Sequence, residues 1–319
     1  MKQKILICGA TGFIGRNMLE SFIKNDNYEI RATWHKPTDL TEVYRDGVEW
    51  VHADLTKSWD VKKAFYGGVD IVLQYAAVTT GVKDVINKPY IHVTDNAVMN
   101  SLLLREAFEQ KVKHFIFPSC TVMYQSSDVP MKESDFDESV DLYPKYYGGG
   151  NTKVYIEKMC KFYSTLGDTK FTVMRQSNIY GPHDKFNLDI GHVFAATIVK
   201  VAGAKDTIDV WGTGQEKRDL LYVSDLVNCV NSIVEKQKSK FELVNVGYGE
   251  SISVSNLVKK IVDISGKSLY INYDKDKPTV DTKLVLDISE AKELFDWSPK
   301  LSLDAGIKDT LEWYTGNSE

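Results

Sequence analysis

The chain has 319 residues, of which 43% are hydrophobic and 26% are charged. These fractions are typical of soluble globular proteins, and they exclude a disordered chain, a collagen-like fibre and a bundle of membrane helices. Its 39 Lys and Arg residues against 44 Asp and Glu residues give a net charge of −5, so we expect no broad basic surface for nucleic acid.

The cysteines and the N-terminal segment predict where the protein resides. The four cysteines lack any C-x-x-C pair, and they fit reduced thiols better than disulfides or a zinc site. The first apolar run is too short and too rich in glycine for a signal peptide. No apolar run reaches the length of about 18 residues that a membrane span requires. We therefore expect a cytoplasmic protein that binds no metal, no membrane and no nucleic acid.

The first half of the chain alternates short apolar segments with helix-length amphipathic ones. Between the apolar segments, stretches such as 98–109 carry apolar residues at helical spacing. An alternation of this kind predicts an α/β fold with a doubly wound parallel sheet and right-handed crossovers. The predicted strands are 4–8, 29–33, 49–52, 71–75, 114–118 and 171–175.

A glycine-rich turn directly follows the first predicted strand and opens a helix. Gly9 permits a tight turn, Gly12 lets the backbone approach a pyrophosphate, and Gly15 lets the helix pack close to the strand. The helix N-terminus adds amide donors and a favourable dipole. We therefore predict a dinucleotide site here, the alternative being a tight turn without a ligand. The other turn residues assigned to this site are Thr11, Phe13 and Ile14.

The end of the second strand predicts which dinucleotide is bound. An Asp or Glu there would accept hydrogen bonds from a ribose diol and repel a phosphate. This chain has Thr-Trp-His-Lys at 33–36 instead, and Arg16 lies just beyond the glycine turn. The cationic groups of Arg16, His35 and Lys36 favour NADP, with NAD as the alternative. The competing explanation is a solvated turn at His35 and Lys36.

The alternation weakens after about residue 180. Helices are predicted at 194–201, 225–235 and 303–314, and short extended segments at 243–246 and 252–254. We predict a dinucleotide-binding Rossmann domain over residues 1–180, to which segments near 220–250 return. Residues 181–319 then form mainly a smaller C-terminal α/β lobe.

The spacing of several motifs resembles the extended short-chain dehydrogenase/reductase family over essentially the whole chain. Beside the glycine turn, the chain has R-x-x-N-x-Y-G-P at 175–182, G-x-G-x-x-x-R-D at 212–219 and W-x-P at 297–299. The resemblance implies a Rossmann-like fold and activity on nucleotide sugars, which the C-terminal lobe would bind. It also implies further cofactor contacts, namely Asp54, Leu55, Ala76, Ala77 and Asn96.

Within that family, residues 180–193 and 210–214 resemble the GDP-fucose synthase group most. Those enzymes epimerise a 4-keto-6-deoxy sugar and reduce the ketone with NADPH. The resemblance implies that His192 is an acid/base and that Arg218 binds the diphosphate or the sugar. The further substrate contacts that we assign are Asn178 and Trp211.

Each of these two roles has an alternative explanation. An imidazole is a plausible acid because its pKa lies near neutrality, but His192 could equally start a helix and bond a backbone carbonyl. Arg218 is less ambiguous, because a planar guanidinium suits phosphate oxygens; its alternative is an ion pair with Asp219 or Glu216.

The centre of the family's chemistry departs from its usual pattern. The family uses a Tyr four residues before a Lys on one helix, and here Lys153 is preceded at that distance by Gly149. The three glycines at 148–150 predict an irregular loop, because glycine disfavours a helix. From such a loop Tyr147 would turn its hydroxyl toward the cofactor. The other candidates are Tyr143 and Tyr146, and the competing explanation is that all three pack on the surface.

The hydroxyl partner of that tyrosine is altered as well. The family's Ser or Thr position holds Cys120, flanked by Ser119 and Thr121. Alternate residues of a strand point to opposite sides, so Ser119 and Thr121 share a face that excludes Cys120. We predict Thr121 or Ser119 as the polar partner, with Cys120 as a replacement or a small core residue. Val122 stands where the GDP-fucose synthase group has a Cys acid, which argues against the same two-site epimerisation.

Two functions fit these observations. The first is an NAD(P)-dependent epimerase or reductase of a GDP-linked sugar, with hydride transfer at the sugar C4. The second is a catalytically silent, cofactor-loaded regulatory or scaffold subunit, which Gly149 favours. Retention of Lys153 and Arg218 favours the enzyme. Helices 98–109 and 151–163 resemble the family's dimer-forming helices, so we expect a homodimer.

Overall fold

A computed structural model describes residues 2–36, 43, 45–79, 87–188, 191–277, 279 and 282–317. The strands are β1 (Gln3–Cys8), β2 (Tyr28–Trp34), β3 (Val48–His52), β4 (Ile71–Gln74), β5 (His114–Ser119), β6 (Lys170–Gln176), β7 (Asn178–Tyr180), β8 (Thr207–Trp211), β9 (Lys217–Tyr222), β10 (Phe241–Val246), β11 (Ser251–Ser253) and β12 (Tyr270–Asp274). The α-helices are α1 (Phe13–Phe22), α2 (Ser58–Phe65), α3 (Thr94–Glu109), α4 (Tyr147–Ser164), α5 (Val193–Gly203), α6 (Val223–Lys236), α7 (Val254–Ile264), α8 (Ser289–Phe295) and α9 (Leu303–Gly316).

Seven parallel strands form the central sheet in the order β10-β6-β5-β4-β1-β2-β3, so the α/β prediction is confirmed. The strand order reverses between β1 and β4. In sheets of this kind a crevice opens at that point, outside the carboxyl ends of the strands. The glycine turn after β1 and the segment after β4 therefore flank one crevice.

Helices cover both faces of this sheet, which explains why the middle residues of its inner strands are mostly apolar. On β1, Ile5 and Ile7 join one core cluster, while Leu6 and Cys8 join the other. Successive strand residues alternate between the two faces, so one strand feeds both cores. In the part of the chain that the structure describes, no helix is both long and apolar enough to cross a membrane.

The later part of the chain divides between this sheet and a smaller lobe. Strand β10 pairs with β6 at the edge of the large sheet, with Val244 opposite Met174. Two small sheets, β11-β9-β7 and β12-β8, make up the lobe together with α5, α7 and α9. Its core includes Phe194, Leu257 and Ile307.

The loop predicted at residues 148–150 is wrong, because α4 runs without a break from Tyr147 through the three glycines. Packing explains this result. A Cβ on Gly148 would lie 2.9 Å from Val93, and one on Gly150 would lie 2.6 Å from Leu142. Glycine thus lets the helix start approach its neighbours. We attribute the helix to that approach and to the burial of the following turns, which offset about 1 kcal/mol lost per glycine.

Candidate functional site

The glycine turn after β1 forms a cradle with little room for side chains. Gly9 has φ +69°, and a Cβ there would lie 2.7 Å from Cα of Ala76. A Cβ on Gly15 would lie 2.2 Å from the carbonyl oxygen of Gly9. Thr33 holds the turn, since its hydroxyl oxygen accepts a hydrogen bond of 3.0 Å from the Gly9 N–H.

The same turn leaves the first amide groups of α1 without a side-chain cap. Gly12 precedes the helix in an extended conformation and has no side chain to accept from those amides. Such amides and the helix dipole attract a phosphate group. The turn therefore fits the pyrophosphate of a dinucleotide. Thr11 is half-buried, and Phe13 and Ile14 pack against the core beneath.

The ends of β2 and β3 carry aromatic and cationic groups. His35 and Lys36 are exposed, and Nε2 of His52 lies 3.0 Å from the carbonyl oxygen of His35. The rings of Trp34 and His52 are 4.4 Å apart. Arg16, by contrast, donates through Nε to Glu20 at 3.3 Å, along α1. His35 and Lys36 thus remain open to an anion at this end of the crevice.

Asp54 and Leu55 follow β3 as a short turn. The Asp54 carboxylate accepts hydrogen bonds from the hydroxyl and the N–H of Thr56. The hydroxyl bond is the main reason that the pKa of Asp54 is lowered, so this group is ionised at neutral pH. Leu55 is buried beneath it.

The backbone after β4 is fixed by Asn96, which sequence reasoning assigned to the cofactor. Its side-chain oxygen accepts from the Val78 N–H at 2.9 Å, and its amide donates to the carbonyls of Val78 and His92. Asn96 therefore holds the segment that contains Ala76 and Ala77. Those two residues line the crevice opposite the glycine turn.

Lys185 is a residue of this crevice that sequence reasoning did not single out. Its Nζ donates to the hydroxyl and the carbonyl of Thr79, at 2.6 and 3.1 Å, and so joins the loop before α5 to the segment after β4. Burial lowers the pKa of Lys185, and the charge of Lys36 lowers it further. Two lysines thus converge on one end of the crevice. Their convergence has no signature in the sequence, where they lie far apart.

The chemical centre lies where α4 passes the end of β5. Lys153 donates through Nζ to the carbonyl of Pro118 at 2.8 Å and lies 4.6 Å above the ring of Phe117. Burial lowers the pKa of Lys153, while Cys120 and Glu157 oppose that shift. Cys120 is half-buried beside it, and burial raises the pKa of this thiol. At neutral pH Cys120 is therefore a thiol.

The polar partner expected beside Cys120 is only partly available. The Ser119 hydroxyl, buried at the end of β5, donates to Glu157. The structure therefore corrects the prediction of Ser119 as the polar partner, because its hydroxyl proton is donated to the Glu157 carboxylate and not toward a substrate. Thr121 is buried, and its carbonyl accepts from the N–H of Tyr124.

The structure also corrects the placement of Tyr147. It is the first residue of α4, its side chain is 55% exposed, and it lines a small surface cavity with Leu142 and Asn151. Six residues separate it from Lys153, which in a helix is about 120° around the axis. Tyr147 therefore faces away from Lys153.

Tyr146 lies differently from its neighbour. It directly precedes α4 and is half-buried. Burial raises the pKa of its hydroxyl, the charge of Arg218 lowers it, and Cys120 raises it. The Tyr143 ring lies 5.9 Å from that of Tyr146. Tyr146 is thus within electrostatic reach of both Cys120 and Arg218.

The substrate side of the crevice carries three groups from different elements. Arg218 on β9 donates to the carbonyl oxygens of Lys217 and Thr282. Lys145 donates through Nζ to the carbonyl of Thr279 at 3.1 Å. Trp211, at the end of β8, is 42% exposed. A guanidinium, an ammonium and an open indole can bind a diphosphate and stack on a base.

Asp219, the acidic neighbour of Arg218, stabilises the fold through backbone hydrogen bonds. The Asp219 carboxylate accepts from the backbone N–H groups of Tyr248, Gly249 and Leu286. Asn178 donates through its amide to the Asp219 carbonyl at 3.2 Å. Asp219 thus ties β9 to the segment that follows β10, while Asn178 joins β7 to β9 within the lobe.

His192 directly precedes α5 and makes no side-chain cap to that helix. The residue is exposed at the surface, yet the surrounding protein partly desolvates its ring. That desolvation, with the charge of Lys185, lowers the pKa of His192. At neutral pH the imidazole is therefore uncharged and can accept a proton. Within the described residues, no three His, Cys, Asp or Glu side chains are grouped to hold a metal ion.

A buried polar network supports the chemical centre from below. Arg175 pairs with Glu157 at 2.8 Å, and both side chains are 5% exposed. Arg175 also donates to the Tyr124 hydroxyl, which donates in turn to Asn245 at 2.7 Å. Glu157 lies one turn after Lys153 on α4. The pair therefore fixes α4 against the ends of β5 and β6.

Replacing Glu157 by Gln is expected to lower the free energy of unfolding by about 3–5 kcal/mol, because it leaves the buried Arg175 charge without its partner. The matched control is Glu138→Gln, which removes an exposed partner of Lys158 and should cost at most about 1 kcal/mol. Urea unfolding of both variants measures the difference. Equal losses in the two variants would contradict the structural role of the buried pair.

Comparisons with known proteins agree with this geometry. The sequence model of the NAD dependent epimerase/dehydratase family matches residues 5–247. A GDP-L-colitose synthase of Yersinia pseudotuberculosis is 25% identical over 98% of this chain and 98% of that protein. GDP-L-fucose synthase 1 of Arabidopsis thaliana is 26% identical over 98% of this chain and 94% of that protein. The crystal structure of Thermotoga maritima UDP-glucose 4-epimerase with UDP-glucose has a TM-score of 0.88 at 25% identity, covering 99% of this chain and 100% of that chain.

Proposed function

Because this chain belongs to the NAD dependent epimerase/dehydratase family, we propose that it is an NAD(P)-dependent epimerase or reductase of a nucleotide-activated sugar. In the finer form of the proposal the sugar is GDP-linked and reacts at C4. Relatives named for GDP-sugar synthesis support the GDP nucleotide. The observation that carries the proposal is the position of Lys153, whose Nζ donates to the Pro118 carbonyl at the carboxyl end of β5, the strand beside β4.

Each side chain of the crevice then has a defined task. When bound, the nicotinamide supplies or accepts a hydride. Lys153 holds the cofactor ribose through Nζ and favours the ionised form of a nearby acid. Thr121 or Cys120 orients the sugar oxygen. Arg218 binds the diphosphate or the sugar, and His192 takes a proton at its ring nitrogen in an epimerisation step.

Product analysis tests the proposal directly. The protein is incubated with UDP-glucose, UDP-glucuronate or a GDP-4-keto-6-deoxyhexose, each with NAD or NADPH, and the sugars are examined by proton NMR. We expect a new nucleotide sugar from at least one pair, and with the GDP-ketose we expect consumption of NADPH. No conversion of any pair, by protein that binds both ligands, would refute the enzyme.

That negative result would favour the second candidate, a catalytically silent subunit that keeps its ligands. Gly149 supports this alternative, because it leaves the usual tyrosine position without a side chain. Lys153 and an uncharged His192 would serve turnover and not binding alone, and for this reason we favour the enzyme.

We further propose that NADP is preferred over NAD. Replacing Lys36 by Ala is expected to weaken NADP binding about tenfold, which corresponds to about 1.4 kcal/mol, and to leave NAD binding nearly unchanged. The reason is that an exposed ammonium at the end of β2 contacts only the extra phosphate. Isothermal titration of both cofactors measures the effect. Lys62→Ala, an exposed lysine on α2, is the control, and an equal loss for NAD and NADP would contradict the assignment.

We propose a cytoplasmic homodimer that pairs through α3 and α4. Exposed apolar side chains on these helices support the pairing, because an unpaired patch of this kind is costly in water: Val98, Tyr155 and Phe162 are 39%, 42% and 51% exposed. Sedimentation velocity at micromolar concentration tests the pairing. A monomer at every concentration would exclude it.

A further inference from the structure

The vacant position on α4 raises the question of which group exchanges a proton with the substrate oxygen. Gly149 lies one helical turn before Lys153, and among the described residues a Cβ there would meet only Cβ of His92, at 3.8 Å. That distance is an ordinary contact. The position is therefore open as well as lacking a side chain, and a group from elsewhere can occupy the space.

Helix geometry identifies one residue that shares the face of Lys153. Tyr146 lies seven residues before Lys153, and seven residues make two turns to within about 20°. Tyr146 therefore stands above Gly149 on the same face, whereas Tyr147 is rotated by about 120°. The two tyrosines are adjacent in the chain, but their different distances along the helix from Lys153 place only Tyr146 on the same face as the lysine.

The turn that presents Tyr146 is held at both ends. The short 3-10 helix Pro144–Tyr146 is closed by a bond of 2.8 Å from the Tyr146 N–H to the Tyr143 carbonyl. Lys145, within the turn, is anchored on the carbonyl of Thr279 from the lobe. The proline fixes the turn further, because its ring removes backbone freedom. The backbone that carries Tyr146 is thus fixed before substrate arrives.

The surroundings of Tyr146 connect the two sides of the crevice. The turn that carries it contacts the same segment of the lobe as Arg218, because Lys145 donates to the Thr279 carbonyl and Arg218 donates to the Thr282 carbonyl. The charges of Arg218 and Cys120 both act on the pKa of the Tyr146 hydroxyl. Cys120 is in turn within reach of Lys153. A tyrosine between a diphosphate-binding arginine and the cofactor-holding lysine is placed where a sugar hydroxyl would lie.

We propose that Tyr146 is the proton-transfer residue of this site and replaces the side chain that Gly149 lacks. This inference rests on the proposed function. In the reducing direction the Tyr146 phenol, which its raised pKa keeps protonated at neutral pH, donates its proton to the ketone oxygen of the sugar. The Oη–H bond breaks, the substrate O–H bond forms, and the reduced nicotinamide dinucleotide supplies the hydride to the same carbon. Oxidation of a sugar hydroxyl runs through the reverse steps, with the phenolate as the base.

Paired variants test the proposal. Tyr146→Phe is expected to lower kcat at least tenfold, whereas Tyr147→Phe stays within threefold of the parent, because the structure places Tyr147 outside the site. Dinucleotide affinity should be unchanged in both. A smaller loss in Tyr146→Phe, or an equal loss in Tyr147→Phe, overturns the proposal.

A rescue variant separates a lost proton from a distorted helix. Gly149→Tyr in the Tyr146→Phe background returns a phenol to the family's usual position, where its Cβ has room. We expect this double variant to recover at least tenfold in kcat over Tyr146→Phe. Failure to recover, with dinucleotide binding intact, contradicts the replacement of one tyrosine by the other.

A spectroscopic readout keeps the test independent of turnover. In protein labelled with ¹³Cζ-tyrosine, the NMR signal missing from Tyr146→Phe identifies this residue. With NADP and UDP-glucose added, that signal should shift and titrate at a lower pH than in the free protein, while the Tyr147 signal stays unchanged. If the parent converts no sugar but this signal responds, the proposed function fails and the position of Tyr146 stands. An unresponsive signal overturns the inference.

Discussion

Replacing Lys153 by Met is expected to lower kcat by about 100- to 10,000-fold, the range over which a positioned proton-transfer system contributes to catalysis. Methionine keeps most of the apolar stem, but it removes the Nζ that lies over the Phe117 ring and donates to the Pro118 carbonyl. The positive charge beside Cys120 is lost with it. The ribose of the cofactor loses a donor, and the nearby phenol becomes harder to ionise.

The matched control for this variant is Lys158→Met on the same helix. Lys158 is exposed and pairs with Glu138 on the surface, so its loss should leave kcat within about twofold and stability within about 1 kcal/mol. Circular dichroism and dinucleotide titration accompany the kinetics. If Lys153→Met retained a tenth of the parent activity or more, the chemistry would lie elsewhere in the molecule.

Replacing Gly15 by Ala is expected to weaken dinucleotide binding at least 100-fold, or about 2.7 kcal/mol. The added methyl group would lie 2.2 Å from the Gly9 carbonyl oxygen, so α1 must move away from the turn. That displacement carries the amide groups at the start of α1 away from the pyrophosphate. The overpacking should also cost about 1–3 kcal/mol of stability.

Gly203→Ala provides the comparison, because a Cβ at Gly203, the last residue of α5, meets no atom within 4 Å in the part of the chain that the structure describes. Its dinucleotide affinity should equal that of the parent. Fluorescence titration with NADP gives both affinities, and the thermal midpoint shows whether Gly15→Ala is folded. A folded Gly15→Ala that binds NADP as tightly as Gly203→Ala would show that the turn does not hold the pyrophosphate.

The sequence was most informative where one backbone requirement allows few residues. The turn at Gly9 and Gly15 could be predicted because close approach excludes any side chain, and the structure has those approaches. Apolar runs predicted the parallel sheet, because strands covered on both faces must be apolar throughout. The family resemblance and the α/β prediction, which depend on such local patterns, are confirmed.

The sequence was least informative where tertiary contacts override local preference. Three glycines disfavour a helix, yet α4 includes them because Val93 and Leu142 approach too closely for side chains. The Ser119 hydroxyl was assigned from strand alternation, which does not reveal a carboxylate from α4 beneath it. The bridge from Lys185 to Thr79 depends on two segments 106 residues apart, which no local pattern relates.

The central claim is that this chain is a nicotinamide-dependent enzyme of nucleotide sugars, and ligand binding tests it most directly. The purified protein is examined by absorbance and by mass analysis of any released ligand, and is then titrated with NADP, NAD, GDP and UDP. We predict that NADP binds more tightly than NAD and that GDP binds to the same protein alongside it. If neither NADP nor NAD bound, the result would contradict the assignment of the glycine turn as a dinucleotide site, and with it the proposed function.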